Sequence, residues 1–285
     1  MIKHLCVIGV GLIGGSLSLA LKKAGYVGRV TGLGRNVENL ETAKKLGVID
    51  DFETDYAKAV SHADMVFISV PIGSMGSVFA QIEPHLKKNA IVTDAGSAKH
   101  TVINAALNNF ELKIAQFVPG HPIAGTEKSG SAAAFDSLYN DRRVILTPLE
   151  ENSLQDIAKV KAMWEAAGAE VDEMGSRHHD LVLAGTSHLP HVLAFALVNC
   201  LNNLDDVDEI FKYAAGGFRD FTRIASSDPV MWRDICLNNS EAILAMMQSY
   251  QNQIDSLKES ILNNDGDAIL EVFSNAKNTR DDFCM

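Results

Sequence analysis

The sequence has few basic residues and few cysteines, and both shortages argue against particular classes of protein. It carries 25 Lys and Arg against 36 Asp and Glu in 285 residues, a formal net charge of −11. Nucleic acids and anionic membranes are bound by clustered Lys and Arg, so this balance argues against both as general partners. The four cysteines lie far apart and form no CxxC pair, which is typical of reduced thiols in a cytosolic protein.

Targeting and membrane-spanning segments are also not apparent in the sequence. The N-terminus enters a strand-like run directly, without the pattern of a signal peptide. The apolar runs of the second half look too short or too interrupted to cross a bilayer. There is no internal repeat. We therefore expect a cytoplasmic protein, and the length of 285 residues favours two domains of ordinary size.

Short apolar runs alternate with helical patterns in the first part of the chain. The runs at residues 2–9, 63–71 and 90–97 are typical of buried strands, and each is followed by a helical pattern. This alternation predicts βαβ units, right-handed crossovers and a mostly parallel sheet. We therefore predict an α/β Rossmann-like doubly wound sheet over residues 1–174.

Beyond about Gly175 the strand patterns stop and the remaining segments have helical patterns. They predict an all-α C-terminal domain over residues 175–285. One long helix is predicted to begin at "SSDP", where a capping residue precedes a proline, and to continue to about Asn263. A helix of that length usually packs on more than its own domain, so we expect a homodimer formed through this domain.

The segment "VIGVGLIGGS" carries a G-x-G-x-x-G pattern directly after the first predicted strand. Such glycines permit a tight turn and the close approach of a pyrophosphate, and the following helix N-terminus supplies free N–H groups and a positive dipole end. In this βαβ context the pattern predicts a dinucleotide site, with a structural glycine turn as the alternative. The residues expected to line it are Gly9, Gly11, Leu12, Ile13 and Gly14.

The end of the second strand bears on which dinucleotide binds. NAD sites usually place Asp or Glu there to bind the ribose 2′-hydroxyl. Here Gly34 occupies that position, and Arg35 and Asn36 follow. A missing acid together with an arginine suits a 2′-phosphate, so we favour NADP over NAD as the NAD(P) cofactor and keep both open. The alternative is that Arg35 is a surface residue that contacts nothing.

Small residues end the next two strands. Ligands of doubly wound sheets lie outside the carboxyl ends of the strands. We therefore expect Gly73, Gly96 and Ser97 to approach cofactor or substrate, with Ser97 near the reaction centre. Val70, Pro71 and Gly96 are expected to line the cofactor. Ser97 could instead only cap the helix that follows it.

The loop "PGHPIAGTEKSG", residues 119–130, follows another strand and brings His121 to the same rim. A dehydrogenase that oxidises an alcohol must remove the hydroxyl proton as hydride leaves, and imidazole has a suitable pKa. The position at a strand end and the surrounding glycines favour a catalytic base over a structural histidine. Glu127 could contact the substrate or a residue of the helical domain.

Two later motifs supply further polar side chains. "SHLPH" places His188 and His191 on one helical face, but HxxH lacks a third ligand and the glutamate of HExxH, so we predict no metal. "GGFRDFTR" places Arg219 and Arg223 four residues apart, with Asp220 between them. An arginine held by an aspartate is a good anchor for a carboxylate, and a surface salt bridge is the alternative.

In this order, "GVGLIGGS", "GHPIAGTEKSG", "SHLPH" and "GGFRDFTRIASSDPVMW" closely resemble the prephenate dehydrogenase family, which includes arogenate and mixed cyclohexadienyl dehydrogenases. The resemblance covers nearly the whole chain. It implies hydride transfer from the ring hydroxyl carbon of prephenate to NAD(P)⁺, with loss of the ring carboxylate as CO2 and formation of 4-hydroxyphenylpyruvate on the route to tyrosine. Aromatisation makes this step strongly downhill, so the protein need only bind, orient and accept one proton.

The resemblance also implies roles for individual residues. His121 looks like the hydrogen-bond acceptor and base for the ring hydroxyl, and Ser97 resembles the serine that orients both groups. Arg223 looks like the anchor for the ring carboxylate, and His191 resembles a substrate-binding histidine. The other residues implied are His188 as a substrate contact, Glu127 as a residue that gates or shapes the pocket, and Asp220 and Trp232 as supports near Arg223.

Several alternatives stay open. Prephenate and arogenate differ only in their side chain, and no residue of the sequence separates them. A β-hydroxyacid dehydrogenase or a related imine reductase has similar architecture. The β-hydroxyacid family, however, uses a lysine base in the region where this chain has "LAGTSHLPHVL", which contains no lysine. A dinucleotide-sensing protein without catalysis would need neither His121 nor Arg223.

Overall fold

The structure is a computed structural model that describes residues 1–126 and 128–283. The chain divides into two compact units, Met1–Ser240 and Glu241–Met285. The first unit contains both β-sheets and the side chains of the candidate site.

Five parallel strands form the first sheet, in the order β3-β2-β1-β4-β5. The central strands are continuous apolar runs because helices cover both faces of the sheet, as in other buried parallel sheets. The strand order changes direction between β1 and β4, where ligands of such sheets bind. The bounds are β1 Ile2–Ile8, β2 Val27–Leu33, β3 Asp51–Glu53, β4 Met65–Ile68 and β5 Ile91–Asp94.

Helices connect these strands and bury one apolar cluster against each face of the sheet. The predicted Rossmann-like fold is thereby confirmed. The three-residue strand β3 was not predicted, because a run this short carries no clear periodicity. The helices of this part are α1 Leu12–Lys23, α2 Val37–Lys45, α3 Tyr56–Val60, α4 Met75–Ile82 and α5 Lys99–Asn109.

A second, three-stranded sheet follows and is mixed, with β6 antiparallel to β7 and β7 parallel to β8. An isolated parallel bridge between Val92 and Phe117 joins the chain before β6 to β5. His121 therefore lies inside a short strand, paired with Ile145, and not in an open loop. The bounds are β6 Gly120–Pro122, β7 Arg143–Leu146 and β8 Glu170–Glu173, with helix α6 Leu154–Ala166 between β7 and β8.

The rest of the described chain is helical, as predicted. The helices are α7 Ser176–Leu183, α8 Leu189–Asn202, α9 Val207–Lys212, α10 Gly216–Thr222, α11 Pro229–Asn238, α12 Ser240–Leu262 and α13 Gly266–Phe283. A π-helical turn, Ala184–His188, separates α7 from α8, and a 3-10 turn, Arg223–Ser226, follows α10.

The single long helix predicted from "SSDP" to Asn263 is wrong, because two helices, α11 and α12, occupy that segment. Its start is as predicted, since the Asp228 carboxylate accepts hydrogen bonds from the N–H groups of the first turn. The helix breaks at Asn239, whose φ of −124° and ψ of 34° are not helical. The apolar periodicity continues through the break and does not reveal it.

The expectation that no apolar run could cross a bilayer also needs correction. The helical stretch Ser176–Asn202 has 27 residues, and an 18-residue segment within it has a mean hydropathy of 1.7, enough by length and composition alone. A core helix of a globular domain passes the same test. This stretch carries buried His179, Asp180 and His188, which hydrogen-bond within the protein.

A buried ion pair joins the end of β5 to the start of α5. Nζ of Lys99 lies 2.5 Å from Oδ2 of Asp94, and both side chains are 0% exposed. The Asp94 carboxylate also accepts the N–H groups of Gly96 (2.7 Å) and Gly120 (3.1 Å). Lys99 donates to the Gly120 carbonyl at 2.7 Å. The hydrogen bonds to Gly96 and Gly120 help to compensate for the burial of this pair.

The substitution Lys99→Met should lower the free energy of unfolding by about 3–5 kcal/mol, because it leaves the Asp94 carboxylate buried without its cation. Chemical denaturation measures the change. The control is Lys159→Met, which removes a partly exposed ion pair with Asp156 and should cost less than about 1 kcal/mol. Equal effects of the two substitutions would contradict the structural role given to the buried pair.

Candidate active site

His121 lies at the end of a chain of three buried side chains. It follows Gly120, whose N–H and carbonyl are fixed by Asp94 and Lys99. Nδ1 of His121 is 2.9 Å from Nε2 of His179, and Nδ1 of His179 is 2.8 Å from Oδ1 of Asp180. The exposed fractions of His121, His179 and Asp180 are 8%, 0% and 5%.

Asp180 also caps helix α5, although the two lie far apart in the sequence. Its Oδ1 accepts the N–H of Lys99 at 2.8 Å, and its Oδ2 accepts the N–H of His100 at 2.9 Å. These are N–H groups of the first turn of α5, which no local side chain caps. The alternative role of Ser97 as the cap of this helix is therefore not seen, because α7 supplies the cap.

Burial sets the charge states along this chain. It lowers the pKa of His121 well below its ordinary value, and the neighbouring His179, Lys99 and His188 lower it further. Burial also lowers the pKa of His179. For Asp180, burial alone would raise the pKa, but hydrogen bonds from His179 and from the α5 backbone outweigh it and lower the pKa. At neutral pH the histidines are therefore neutral and Asp180 is a carboxylate.

His188 ends the π-helical turn and is held by Asn239. Its side chain is 1% exposed. The Asn239 amide donates to the Asp180 carbonyl at 2.8 Å and lies 3.0 Å from Nδ1 of His188. Nε2 of His188 has no hydrogen-bond partner in the described part of the chain. Because the amide nitrogen donates to Nδ1, Nε2 carries the proton and is a buried donor.

His191, one turn further along, stacks on Trp232. The ring centroids are 3.6 Å apart and the planes are inclined by 19°. Nδ1 of His191 donates to the Ser187 carbonyl at 2.9 Å, which leaves Nε2 as an acceptor. Burial and the positive charge of Arg223 lower the pKa of His191. "SHLPH" thus places two neutral histidines with different free groups around one tryptophan.

Arg223 begins the 3-10 turn, and its side chain is exposed. The expected ion pair with Asp220 is not present among the described residues, so the prediction of an arginine held by this aspartate is not met. Helix α10 ends at Thr222, and the two residues do not share a regular helical turn. The guanidinium of Arg223 is left available to an external carboxylate.

The glycines of the first turn fit a dinucleotide. Gly9 has φ +89°, and a Cβ there would lie 2.4 Å from the Ser69 carbonyl oxygen. A Cβ at Gly14 would lie 2.4 Å from Oγ of Ser69, whereas one at Gly11 would meet nothing within 4 Å. The first turn of α1 has no side-chain cap and no acidic residue. The N–H groups of this turn thus have no side-chain cap, and such groups at a helix N-terminus suit an anion such as a pyrophosphate.

The other residues expected to line the cofactor differ in exposure. Val70 is half-buried and packs near Gly9, whereas Pro71 is exposed. Gly96 is buried, and its N–H is already bonded to Asp94. The Gly96 N–H is therefore not available to a ligand.

Ser97, expected at the reaction centre, is less constrained. Ser97 is half-buried, and its hydroxyl makes no hydrogen bond within the described ranges. It remains available to a ligand, and its role near His121 stays a prediction. Glu127 lies outside the described residues.

Sequence reasoning missed the buried residues that hold His121 and His188: Asp94, Lys99, His179, Asp180 and Asn239. A signal existed for two of them, because "HHD" begins an otherwise apolar helical segment. Adjacent His and Asp in such a place are unusual unless they find buried partners. The other three residues resemble ordinary turn and surface residues in the sequence.

Comparison with known proteins identifies both parts of the chain. A family model described as prephenate dehydrogenase, nucleotide-binding domain, matches residues 17–173. A second, described as prephenate dehydrogenase, dimerization domain, matches residues 175–275.

Individual relatives align with this chain along almost its full length. The cyclohexadienyl dehydrogenase of Zymomonas mobilis is 39% identical, with 98% of this chain and 95% of that protein aligned. The prephenate dehydrogenase of Bacillus subtilis is 36% identical, over 96% and 74%. The crystal structure of the Aquifex aeolicus prephenate dehydrogenase with hydroxyphenyl propionate and NAD⁺ is 37% identical, covers 99% and 98%, and gives a TM-score of 0.93.

Buried His188 should make stability depend on pH. Burial lowers its pKa from 6.5 to about 4, so between these values the unfolded chain binds a proton that the folded protein does not. The free energy of unfolding should therefore fall as pH falls through this window, by at most about 1.4 kcal/mol per pH unit from this residue. Denaturation at several pH values should give a shallower slope for His188→Gln.

The control for this experiment is His178→Gln, which removes an exposed histidine from α7 and should leave the slope unchanged. Identical slopes for the wild type and His188→Gln would show that His188 is protonated as easily in the folded protein as in the unfolded chain.

Proposed function

The chain belongs to the prephenate dehydrogenase family of nicotinamide-dependent oxidoreductases, and we propose that it converts prephenate to 4-hydroxyphenylpyruvate by oxidative decarboxylation in tyrosine biosynthesis. The observation that carries this proposal is buried His121. It is held next to the end of β5, and its pKa is depressed, so it is neutral and able to accept a proton at physiological pH.

A nicotinamide dinucleotide would accept the hydride when bound. The turn Gly9–Gly14 suits its pyrophosphate, since Gly11 and the first turn of α1 leave room and free N–H groups. Val70, Pro71 and Gly96 follow neighbouring strands and are proposed to flank it.

His121 is proposed to act as the base. It takes the proton of the ring hydroxyl as the hydride departs, so an N–H bond forms and the O–H bond breaks. The ring then loses its carboxylate as CO2, and the electrons of that bond make the ring aromatic. The proton returns from His121 to the phenolate oxygen, which leaves the histidine neutral again. Ser97, whose hydroxyl has no partner in the described chain, is proposed to orient the substrate hydroxyl.

The substrate is a dicarboxylate, and a protein of net charge −11 must supply local cations to hold it. We assign Arg223 to the ring carboxylate, because its guanidinium is exposed and has no ion pair in the described chain. His188 would donate through Nε2, and His191 would contact the substrate from its stack on Trp232. By resemblance alone, Asp220 is retained as a supporting residue and Glu127 as a residue that gates or shapes the pocket.

A second substrate, arogenate, is the alternative. The similarity to the cyclohexadienyl dehydrogenase of Zymomonas mobilis favours keeping it. A β-hydroxyacid dehydrogenase or a non-catalytic sensor finds no support in the family matches. We further propose a homodimer formed through the helical domain, which matches the dimerization domain of the family, and a cytoplasmic location.

We place the domain boundary near residue 174, with a dinucleotide-binding domain over residues 1–174 and a helical domain over residues 175–285. The meeting of the two family matches between residues 173 and 175 supports it. The compact units divide later, after Ser240. Helices α7 to α11 therefore belong to the first unit, although they match the second family domain.

The direct test of function measures reduced cofactor with prephenate or arogenate and NAD⁺ or NADP⁺, in all four combinations. Turnover of prephenate is expected, and no turnover of either substrate would refute the proposal.

His121→Asn should lower kcat by about 10²–10⁴-fold with little change in KM. Arg223→Ala should chiefly raise KM, by about tenfold or more, whereas Arg219→Ala should leave it nearly unchanged.

Cofactor choice is proposed to depend on residues 34–35. Gly34 stands in place of an acid and Arg35 is exposed, which favours NADP⁺. A Cβ at Gly34 would approach only Leu40, at 3.6 Å, so an acid can be introduced. Gly34→Asp should shift the ratio of kcat/KM values toward NAD⁺ by about tenfold or more, since it repels a 2′-phosphate and accepts from a 2′-hydroxyl. An unchanged ratio would place the 2′ position elsewhere.

The control for cofactor choice is Gly266→Asp, which adds the same charge where a Cβ meets nothing within 4 Å and should leave the ratio unchanged.

A further inference from the structure

We propose that His179 and Asp180 are positioning residues that fix the tautomer of His121, so that its Nε2 carries a lone pair toward the substrate. This inference deepens the proposed function, because it explains why the base presents an acceptor and not a donor. It rests on the chain of contacts from α5 through α7 to β6.

The chain of hydrogen bonds begins at the Asp180 carboxylate, whose hydrogen-bonding pattern is fixed. Oδ1 of Asp180 accepts the N–H of Lys99, and Oδ2 accepts the N–H of His100. A protonated carboxyl group would have to place its hydrogen against one of these donors or against His179. Asp180 is therefore ionised and accepts at every contact. The ring nitrogen 2.8 Å from Oδ1, which is Nδ1 of His179, must supply a hydrogen.

The position of the hydrogen on the His179 ring then determines its position on the His121 ring. A neutral imidazole carries one hydrogen, so a donating Nδ1 leaves a lone pair on Nε2. That nitrogen is 2.9 Å from Nδ1 of His121, which must therefore donate. Nε2 of His121 is left with the lone pair. The reverse assignment would set two lone pairs or two hydrogens against each other in a buried contact.

The same chain assists the proton transfer. When Nε2 of His121 takes the hydroxyl proton, the imidazolium keeps its hydrogen bond to His179. The positive charge is then linked through two hydrogen bonds to the Asp180 carboxylate, in surroundings of low polarity that strengthen such interactions. His179 and Asp180 keep their own protons throughout, and neither touches the substrate.

The competing explanation is structural. In that view His179 only fills buried space beside His121, and Asp180 only caps α5. The two explanations differ in what an apolar ring at position 179 would do. A packing role is met by phenylalanine, whereas the hydrogen-bond relay is not.

The first test uses the wild-type protein and no substrate. Nitrogen-15 NMR of the full chain labelled at histidine reports which ring nitrogen carries the hydrogen, and His121→Asn identifies the signals of His121. We expect a protonated Nδ1 and an unprotonated Nε2 at pH 7.5. A hydrogen on Nε2 would overturn the proposal, whatever the enzyme assays show. This spectrum is informative even if the protein fails to oxidise prephenate.

The second test compares His179→Phe with His178→Phe, an exposed neighbour on the same helix. His179→Phe should lower kcat about 100-fold or more while KM stays within about threefold, by analogy with serine proteases, where loss of the tautomer-fixing carboxylate costs about 10⁴-fold. The His121 signals should shift toward a mixture of tautomers. His178→Phe should change neither property.

A kcat of His179→Phe within about threefold of wild type would overturn the proposal, as would unchanged His121 signals. Near-ultraviolet circular dichroism and the Kd for the cofactor would confirm that the variant is folded. If His179→Phe does not fold, the wild-type tautomer decides the matter alone.

Discussion

The buried ion pair between Asp94 and Lys99 is the interaction on which the candidate site depends. It closes the end of β5, starts α5 and fixes both backbone groups of Gly120, the residue before His121. A carboxylate and an ammonium are costly to bury, and their retention is understandable when they hold several elements in one arrangement. Here those elements carry the proposed base and the rim of the cofactor site.

Asp180 connects this framework to the helices that carry the proposed substrate contacts. Its carboxylate caps α5 and orients His179, and its carbonyl accepts from Asn239, which in turn holds His188. The break between α11 and α12 falls at Asn239, where the side chain is used for these bonds. Satisfied buried networks of this kind specify one arrangement of side chains. The acceptor on His121 and the donor on His188 thus both follow from bonds made around one aspartate.

Sequence patterns predicted the parallel sheet, the helical second half and the glycine turn, because each depends on local periodicity or on the backbone freedom of glycine. They also indicated His121, His188, His191 and Arg223 through motifs. They could not indicate Lys99 or Asn239, since a buried lysine and a helix-breaking asparagine are defined by partners 5 to 59 residues away. The expected pairing of Arg223 with an aspartate failed for the same reason, because a short-range spacing was assigned without its tertiary context.

Nε2 of His121 is proposed to accept the proton of the substrate hydroxyl. A crystal structure of this protein with 4-hydroxyphenylpyruvate and NAD⁺ tests it most directly. The claim requires the phenol oxygen within about 2.6–3.2 Å of Nε2 of His121, with Nδ1 still bonded to His179. A phenol oxygen bound to other groups, or a His121 ring turned away from His179, would contradict it.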